Sequence, residues 1–360
     1  VTDNLSWRWV FWINLPLGLA AMWLCNRGLR TIRSERRPAR IDGWGALLLA
    51  AGVTALLLML SWGGVEYPWA SLPVIGAAAM GTALLAVLVW HERRVADPIL
   101  PPHLFGTSTF LRGVVIAFLT SLGLFSATFL LPLYFQLVLG VDASRSGLLV
   151  MPFLAATVVG AMLAGQGARR LGRTKGIILA GVVTSGAAFA ALAVMAAGAS
   201  LWLLLPCSFV LGLNATASLK VYSASRSAVT KLGATMPAVM VQVQNAAAAG
   251  DVGAATGSLL FLRSMGGAFG STLVGSLLAM RFNAGLHAAG LMGEVDLGAL
   301  RAGATGLGIS VVQARAALAS GFEVSFAACA AVLLVAIVVA AGMEDQQLRS
   351  GPAVPREVGH

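Results

Sequence analysis

The side chains with chemical potential in this chain are a few polar groups inside long apolar runs. Tyr134 and Gln136 stand in one run, Gln244 and Asn245 close another, and Arg263 interrupts a third. An amide or a guanidinium group within hydrocarbon needs a polar partner, so such a side chain should face other helices or a water-filled cavity. These five residues are therefore predicted to line a cavity for a small molecule.

Each of these positions also has a purely structural interpretation. Gln136 could make an interhelical hydrogen bond instead of lining a cavity. Gln242, Gln244 and Asn245 could mark a helix end near the lipid headgroups. Arg263 follows Asp251 by only 12 residues, so its long side chain could reach the membrane surface. The sequence leaves both interpretations open.

No arrangement typical of an enzyme is present. The sequence has no phosphate-binding loop, no metal-ligand cluster and no nucleophile beside a base. Its acidic residues fall at the ends of apolar runs or in loops, and its histidines are scattered among loops: His91, His103, His287 and His360. The chain is therefore predicted to be no enzyme and to need no cofactor. The lack of a nucleotide site means that ATP hydrolysis is not expected.

Composition assigns the chain to the polytopic membrane proteins. Charged residues make up only 11% of it and apolar residues 58%, against about 25% charged residues in a soluble domain. The apolar residues fall in repeated runs of about 20, which is the length of a helix that crosses a bilayer. The net charge of +10 lies in the loops between these runs, where it sets topology and meets lipid headgroups. A nucleic-acid partner is therefore not expected.

The stretch from Thr109 to Gly176 orients the chain. It holds two uncharged runs of 29 and 23 residues joined by a short link, and it is predicted to form a membrane hairpin. Its far end is predicted to be a tight basic turn on the cytoplasmic side, with a topogenic and conformational role. The residues assigned to this turn are Gly165, Arg169, Arg170, Gly172, Arg173 and Lys175.

The remaining runs extend this orientation to the whole chain. An all-α bundle of about nine transmembrane helices is predicted, in the cell membrane, with the N-terminus outside and the C-terminus cytoplasmic. With this assignment the internal loops and the tail hold 18 of the 24 Lys and Arg residues. Spans eight and nine are placed between Asp251 and Arg281 and at about Phe322 to Met343, with a long external segment, Arg281 to Ser320, between them.

The segment from Asn214 to Leu232 breaks the pattern, because it carries three cations after only 13 apolar residues. We interpret it as an insertion that is either a cytoplasmic extrusion or a defect in the sequence. Two arrangements are open. The preceding helix borrows Asn214 to Leu219 and displaces Gly233 to Ala249 from the membrane, or the insertion loops out and Ala234 to Val243 completes the bundle from the inside. The first is preferred, because it leaves no polar backbone in lipid.

Several segments, taken in order, resemble the fourteen-helix drug:proton antiporter branch of the major facilitator superfamily. They are WRWVFWINLPLGL (Trp7 to Leu19), IDGWG (Ile41 to Gly45), LPLYFQLVLGVDASRSGLLVMP (Leu131 to Pro152), GQGARRLGRTKG (Gly165 to Gly176) and GAATGSLLFLRSMGGAFG (Gly253 to Gly270). One departure concerns the basic turn, where the acid that the superfamily usually carries before its arginine is replaced by Arg169.

The resemblance implies a domain register. Residues 1–26 correspond to the last helix of the N-terminal half, residues 27–108 to a basic loop and two extra linker helices, residues 109–343 to the C-terminal six-helix domain, and residues 344–360 to a cytoplasmic tail. The chain is then expected to be the C-terminal part of a longer protein. The earlier helices of that protein would be partners of this chain, and they would carry the proton-coupling motifs of the family.

The function implied by the resemblance is secondary active transport: the proton-coupled export of small amphipathic or cationic compounds by alternating access. Its partners would be a small-molecule substrate, protons and the lipid bilayer. The alternative is a membrane protein fragment that does not transport and acts at most as a scaffold.

Overall fold

The computed structural model describes residues 12, 14–29, 42–95, 98–171, 175–196, 201–213, 239–240, 242–244, 247, 251–288 and 311–343. Within these residues the chain is helical, and no β-strand is found beyond one isolated bridge between Gly63 and Tyr67. The fold is therefore an all-α helical bundle, as predicted. The described helices are α1 (Asn14–Leu29), α2 (Gly43–Trp62), α3 (Leu72–Glu92), α4 (Pro102–Phe105), α5 (Ser108–Leu137), α6 (Ala143–Leu171), α7 (Lys175–Met195), α8 (Leu201–Leu213), α9 (Val252–Ala288) and α10 (Val311–Ala341).

Six helices in the described ranges are long and apolar enough to cross a membrane. They comprise α2, α3, α5, α7, the Ala143–Met162 part of α6 and the Ala316–Ala341 part of α10. Together they establish a polytopic membrane bundle, whereas the count of nine spans stays a prediction. Helix α1 belongs to a separate unit, residues 1–41, and the other helices belong to the unit of residues 42–360.

Helices α2 and α3 form a hairpin at the edge of the second unit. Asp42 begins α2 by accepting a hydrogen bond from the Gly45 N–H at 2.9 Å, which satisfies one of the free donors of a helix N-terminus. Gly64 turns the chain after α2 with φ +74°, a conformation that favours glycine. Only 17% of the residues in the apolar part of each helix are buried, against 61% in α5 and α7. The hairpin is therefore peripheral.

Helices α5 and α7 lie at the centre of the unit of residues 42–360. Helix α5 packs against α9, α10 and α6, and α7 packs against α10 and α8. The core between them contains fully buried aromatic side chains from three helices: Tyr134, Phe135, Phe189, Phe322 and Phe326. Their ring centroids lie 5.1 to 6.4 Å apart, the range of attractive edge-to-face contacts.

Contacts between residues far apart in the sequence show which helix ends lie on the same side of the bundle. On one side Arg112 donates to the Gly342 carbonyl, and His103 Nε2 lies 3.2 Å from Asp251 Oδ2. On the other side Ser276 Oγ donates to the Gly63 carbonyl at 3.1 Å. This alternation agrees with the predicted up-and-down order. We call the first side, which holds the starts of α2, α5 and α9, the inner end, and the opposite side the outer end.

Two sequence-based boundaries are wrong. Helix α6 continues through Gly165, Arg169 and Arg170 to Leu171, so these residues end a helix rather than form a turn. Helix α10 begins at Val311, so the last part of the expected external segment is helical, and Glu323 lies within the helix instead of at its start. Alanine-rich sequence continues a helix beyond the bilayer because alanine has the highest helix propensity, and a hydropathy boundary does not detect this.

The preferred arrangement after α8 is also wrong. Val239 and Val243 are fully buried and Gln242 is 1% exposed, so this segment packs in the bundle instead of being displaced from it. It packs against the inner end of α5 at Gly113, where an added Cβ would lie 2.7 Å from Val243 Cγ2. Helix α8 ends at Leu213. The structure therefore favours the arrangement in which the segment completes the bundle from the inside, and Asn214 to Leu232 lie outside the described residues.

Candidate functional site

Tyr134 is a core residue among the described helices. It is 2% exposed, its hydroxyl donates to the Ala196 carbonyl at 3.1 Å, and its ring meets Phe322 edge to face at 5.1 Å. The hydroxyl joins the outer end of α5 to the residue that follows α7. In this arrangement the side chain holds α5, α7 and α10 together.

Gln136 makes the interhelical hydrogen bond that its structural interpretation required. Its Nε2 donates to Ser146 Oγ at 2.8 Å, and Ser146 Oγ in turn donates to the Ala143 carbonyl at 2.8 Å. The bond joins the end of α5 to the start of α6 across the turn that contains Gly140, where φ is +70°. Gln136 is half-buried, so part of its amide is open to the surroundings.

Gln244 lies at the inner end of the bundle. Its Nε2 donates to Thr256 Oγ1 at 3.1 Å, and the same hydroxyl donates to the Val252 carbonyl at 2.7 Å. The amide thus ties the segment of residues 242–244 to the first turns of α9. Asn245, predicted to act beside it, lies outside the described residues.

Arg263 is half-buried in α9 and stands one turn before Gly266. Residues three, four and seven positions apart share a helix face, so Arg263 shares a face with Gly266, Gly267 and Gly270, which pack against α5. The ion pairs within the described residues do not include Arg263. Arg263 therefore has no ion-pair partner among the described residues.

The predicted basic turn is described only at its edges. Gly165, Arg169 and Arg170 lie on the last turns of α6, and Lys175 begins α7 with a half-buried side chain. Gly172 and Arg173 lie outside the described residues.

The five predicted cavity residues do not converge on one site, because Tyr134 and Gln136 lie at the outer end whereas Gln244 lies at the inner end.

Sequence reasoning missed a cavity between α2, α5 and α9, with a volume of about 430 Å³. Four hydroxyl side chains, Phe129 and three small or apolar residues line it, and none of the lining residues is charged. The hydroxyl residues are Ser61, Ser271, Thr272 and Ser276. The signal in the sequence was the Ser and Thr residues inside an apolar run, but the run alone does not show which helix they face.

Metal ligands do not cluster in the described part of the chain: no group of three or more His, Cys, Asp or Glu residues has a geometry that could hold an ion. The three cysteines are free. The fold and its polar contacts define a helical membrane protein with isolated polar groups between apolar helices.

The particular family follows from comparison with known sequences. The sequence profile of the Major Facilitator Superfamily matches residues 1–271, about three quarters of the chain, and the chain belongs to this family of membrane transporters. The comparison leaves open which branch of the family this is.

Similar proteins include transporters from bacteria and fungi. The multidrug transporter protein MdtP of Bacillus subtilis is 30% identical over 281 residues, which are 78% of this chain and 48% of MdtP. The acurin A biosynthesis cluster MFS-type transporter of Aspergillus aculeatus is 30% identical over 289 residues, or 79% of this chain and 49% of that protein. The efflux pump FUS6 of Gibberella moniliformis is 28% identical over 298 residues, or 80% and 49%. The chain thus spans about half the length of these relatives.

Proposed function

We propose that this chain is part of a secondary active transporter that exports small amphipathic or cationic molecules in exchange for protons. The observation that carries the proposal is the similarity, over about four fifths of the chain, to proteins named as a multidrug transporter and an efflux pump. Those names describe the relatives. Their extension to this chain rests on shared sequence in the same helices that form the bundle.

The packing of the bundle supports an alternating-access mechanism. In such a mechanism one half of the protein rocks against the other as a nearly rigid body. Helices α5 and α9 are in backbone contact, since a Cβ on Gly266 or Gly270 would overlap the Phe118 or Leu122 carbonyl oxygen. Helices held this closely move together, so the unit of residues 42–360 is suited to act as one such body.

Arg263 is the residue we propose to bind substrate or to pair with a carboxylate during transport. A cation within a membrane span costs about 2.5–3.5 kcal/mol on insertion scales, and such residues commonly mark a substrate or ion pathway. Gln136, Gln244 and Asn245 are proposed to contribute hydrogen bonds, whereas the contacts of Tyr134 support a structural role. The basic segment from Arg169 to Lys175 is proposed to act in the conformational switch and to lie in the cytoplasm.

The proton-carrying acid is proposed to lie in N-terminal helices that complete the transporter. Two observations support this: the chain spans about half the length of the relatives it matches, and of the two acidic residues in the described apolar spans, Glu323 is exposed and Glu92 lies at the end of α3. The competing hypothesis is a fragment that does not transport. The reading frame upstream of Val1 distinguishes them, since five further apolar spans in frame favour the transporter and a stop codon favours the fragment.

The functional test uses the complete transporter in proteoliposomes with an imposed pH gradient and a fluorescent lipophilic cation. Arg263→Ala is expected to lower the rate of export about tenfold or more, equivalent to at least about 1.4 kcal/mol, whereas Arg263→Lys should keep part of it. The control is Arg145→Ala, because Arg145 is exposed and pairs locally with Asp142. Export that persists after a protonophore collapses the gradient would contradict proton coupling.

A further inference from the structure

Three titratable side chains meet at the inner end of the α2–α3 hairpin. His91 Nε2 lies 3.0 Å from both carboxylate oxygens of Asp42, 49 residues away in the sequence. Glu92 follows His91 and ends α3. The hydrogen bond from the Gly45 N–H, followed by that with His91, lowers the pKa of the Asp42 carboxyl below its usual value. Asp42 is therefore ionised at neutral pH, and we call this group the Asp42–His91–Glu92 cluster.

Glu92 is the unusual member of the cluster. The residue is only 3% exposed, and its Oε2 accepts a hydrogen bond from the Leu100 N–H at 3.2 Å. Its Oε1 is buried and has no hydrogen-bond partner among the described residues. A buried carboxylate with an unpaired oxygen is costly, because an ion removed from water must be compensated by donors or by an opposite charge.

The two carboxyl groups of the cluster point toward the same glycine. A methyl group placed on Gly45 would overlap Asp42 Oδ2 and would lie 3.3 Å from Glu92 Oε1. Gly45 is buried, so the space between the carboxyl groups is enclosed. Carboxyl groups that face the same space disfavour each other's ionisation.

Among the described residues, no cation forms an ion pair with Glu92. The charges that act on it are those of Asp42 and His91. On its own chain segment Arg93 is exposed, and the Arg94 guanidinium lies 3.8 Å from the centre of the Trp90 ring. At the inner end of α9, which α2 contacts, Asp251 pairs with His103. Among the described residues, the imidazole of His91 is the basic group of the cluster, and it is already hydrogen-bonded to Asp42.

We propose that the Asp42–His91–Glu92 cluster is a proton-binding site in which Glu92 is the neutral acid at neutral pH. This proposal does not depend on transport, because it concerns the hairpin and its own protonation. At alkaline pH Glu92 loses its proton beside Asp42, and the repulsion loosens the inner end of the hairpin.

The first test is infrared spectroscopy of the full chain, which detects the carbonyl stretch of protonated carboxyl groups. At about pH 7 exposed carboxyl groups are ionised, so a band that remains there and disappears by about pH 10 reports a retained proton. Glu92→Gln should remove this band, whereas the control Glu66→Gln should keep it, because Glu66 is exposed in the turn at the outer end of the hairpin. A folded Glu92→Gln protein whose spectrum matches that of the wild type overturns the proposal.

A second variant keeps the proposal testable should Glu92→Gln not fold. Asp42→Asn removes the neighbouring negative charge, so Glu92 should lose its proton at a lower pH, with the disappearance of the band shifted by about one pH unit or more. Asp251→Asn is the matched control, because it removes the other described His–Asp pair and should leave the band unchanged. Equal behaviour of the two variants would show that the band does not arise from this cluster.

Discussion

The backbone contact between α5 and α9 predicts that replacing Gly270 by alanine destabilises the protein. A Cβ added at Gly270 would overlap the Leu122 carbonyl oxygen and would lie 2.8 Å from the Leu122 Cα and 2.9 Å from its carbonyl carbon. These are backbone atoms, so no side-chain rotation can make room. Carbon atoms pack at about 3.5–4.0 Å, so Gly270→Ala requires α9 to move away from α5 by about 1 Å.

The free-energy cost of moving the two helices apart can be separated from the intrinsic effect of alanine on helix stability. Replacing glycine by alanine inside a helix favours the helix by about 1 kcal/mol, and this gain is common to every such variant of α9. Overpacking in a tight interface costs about 1–3 kcal/mol. A variant of an open glycine on the same helix therefore provides the reference. Gly257 is exposed and a Cβ there meets nothing within 4 Å.

The assay is equilibrium unfolding of the full chain in mixed micelles, followed by the loss of helical circular dichroism. Gly257→Ala is expected to be at least as stable as the wild type, and Gly270→Ala to be less stable than Gly257→Ala by about 2 kcal/mol, a factor of about 30 in the ratio of folded to unfolded protein. Gly275→Ala is an intermediate control, because its Cβ would make an ordinary 3.6 Å contact with Phe129. Equal stability of the Gly257 and Gly270 variants would refute the close crossing of α5 and α9.

Three further predictions concern the hairpin, the segment after α8 and the topology. Ser276→Ala should cost about 1 kcal/mol of unfolding free energy, because it leaves the buried Gly63 carbonyl without its donor. Ser264→Ala, an exposed residue bonded only within α9, should cost less, and the reverse order would exclude that contact. Deletion of residues 214–232 should leave unfolding stability unchanged or higher, because Val239, Gln242 and Val243 already pack in the bundle; loss of folding would show that the segment is integral. A membrane-impermeant thiol reagent should label Ser34→Cys and Gly172→Cys from the cytoplasmic side and Pro68→Cys from the external side. Labelling of Pro68→Cys from the cytoplasmic side would contradict the topology.

Much of the fold was readable from the sequence because the bilayer constrains it strongly. A backbone in lipid must satisfy its own hydrogen bonds, so each long apolar run has to be a helix. The described helices α2, α3, α5 and α7 lie where the runs predicted them. The Gln136 amide had been predicted to need a polar partner, and the structure supplies one in Ser146.

The sequence by itself thus determined which segments are helical and where polar groups interrupt them. Only the tertiary structure decided which faces meet, because a helix that is apolar on all sides carries no stripe to show its buried face. That is why the burial of Tyr134, the packing of Val239 and Val243 against Gly113 and the convergence of Asp42 with Glu92 were not foreseen. Each depends on the rotation and depth of two helices, which packing sets and local sequence does not encode.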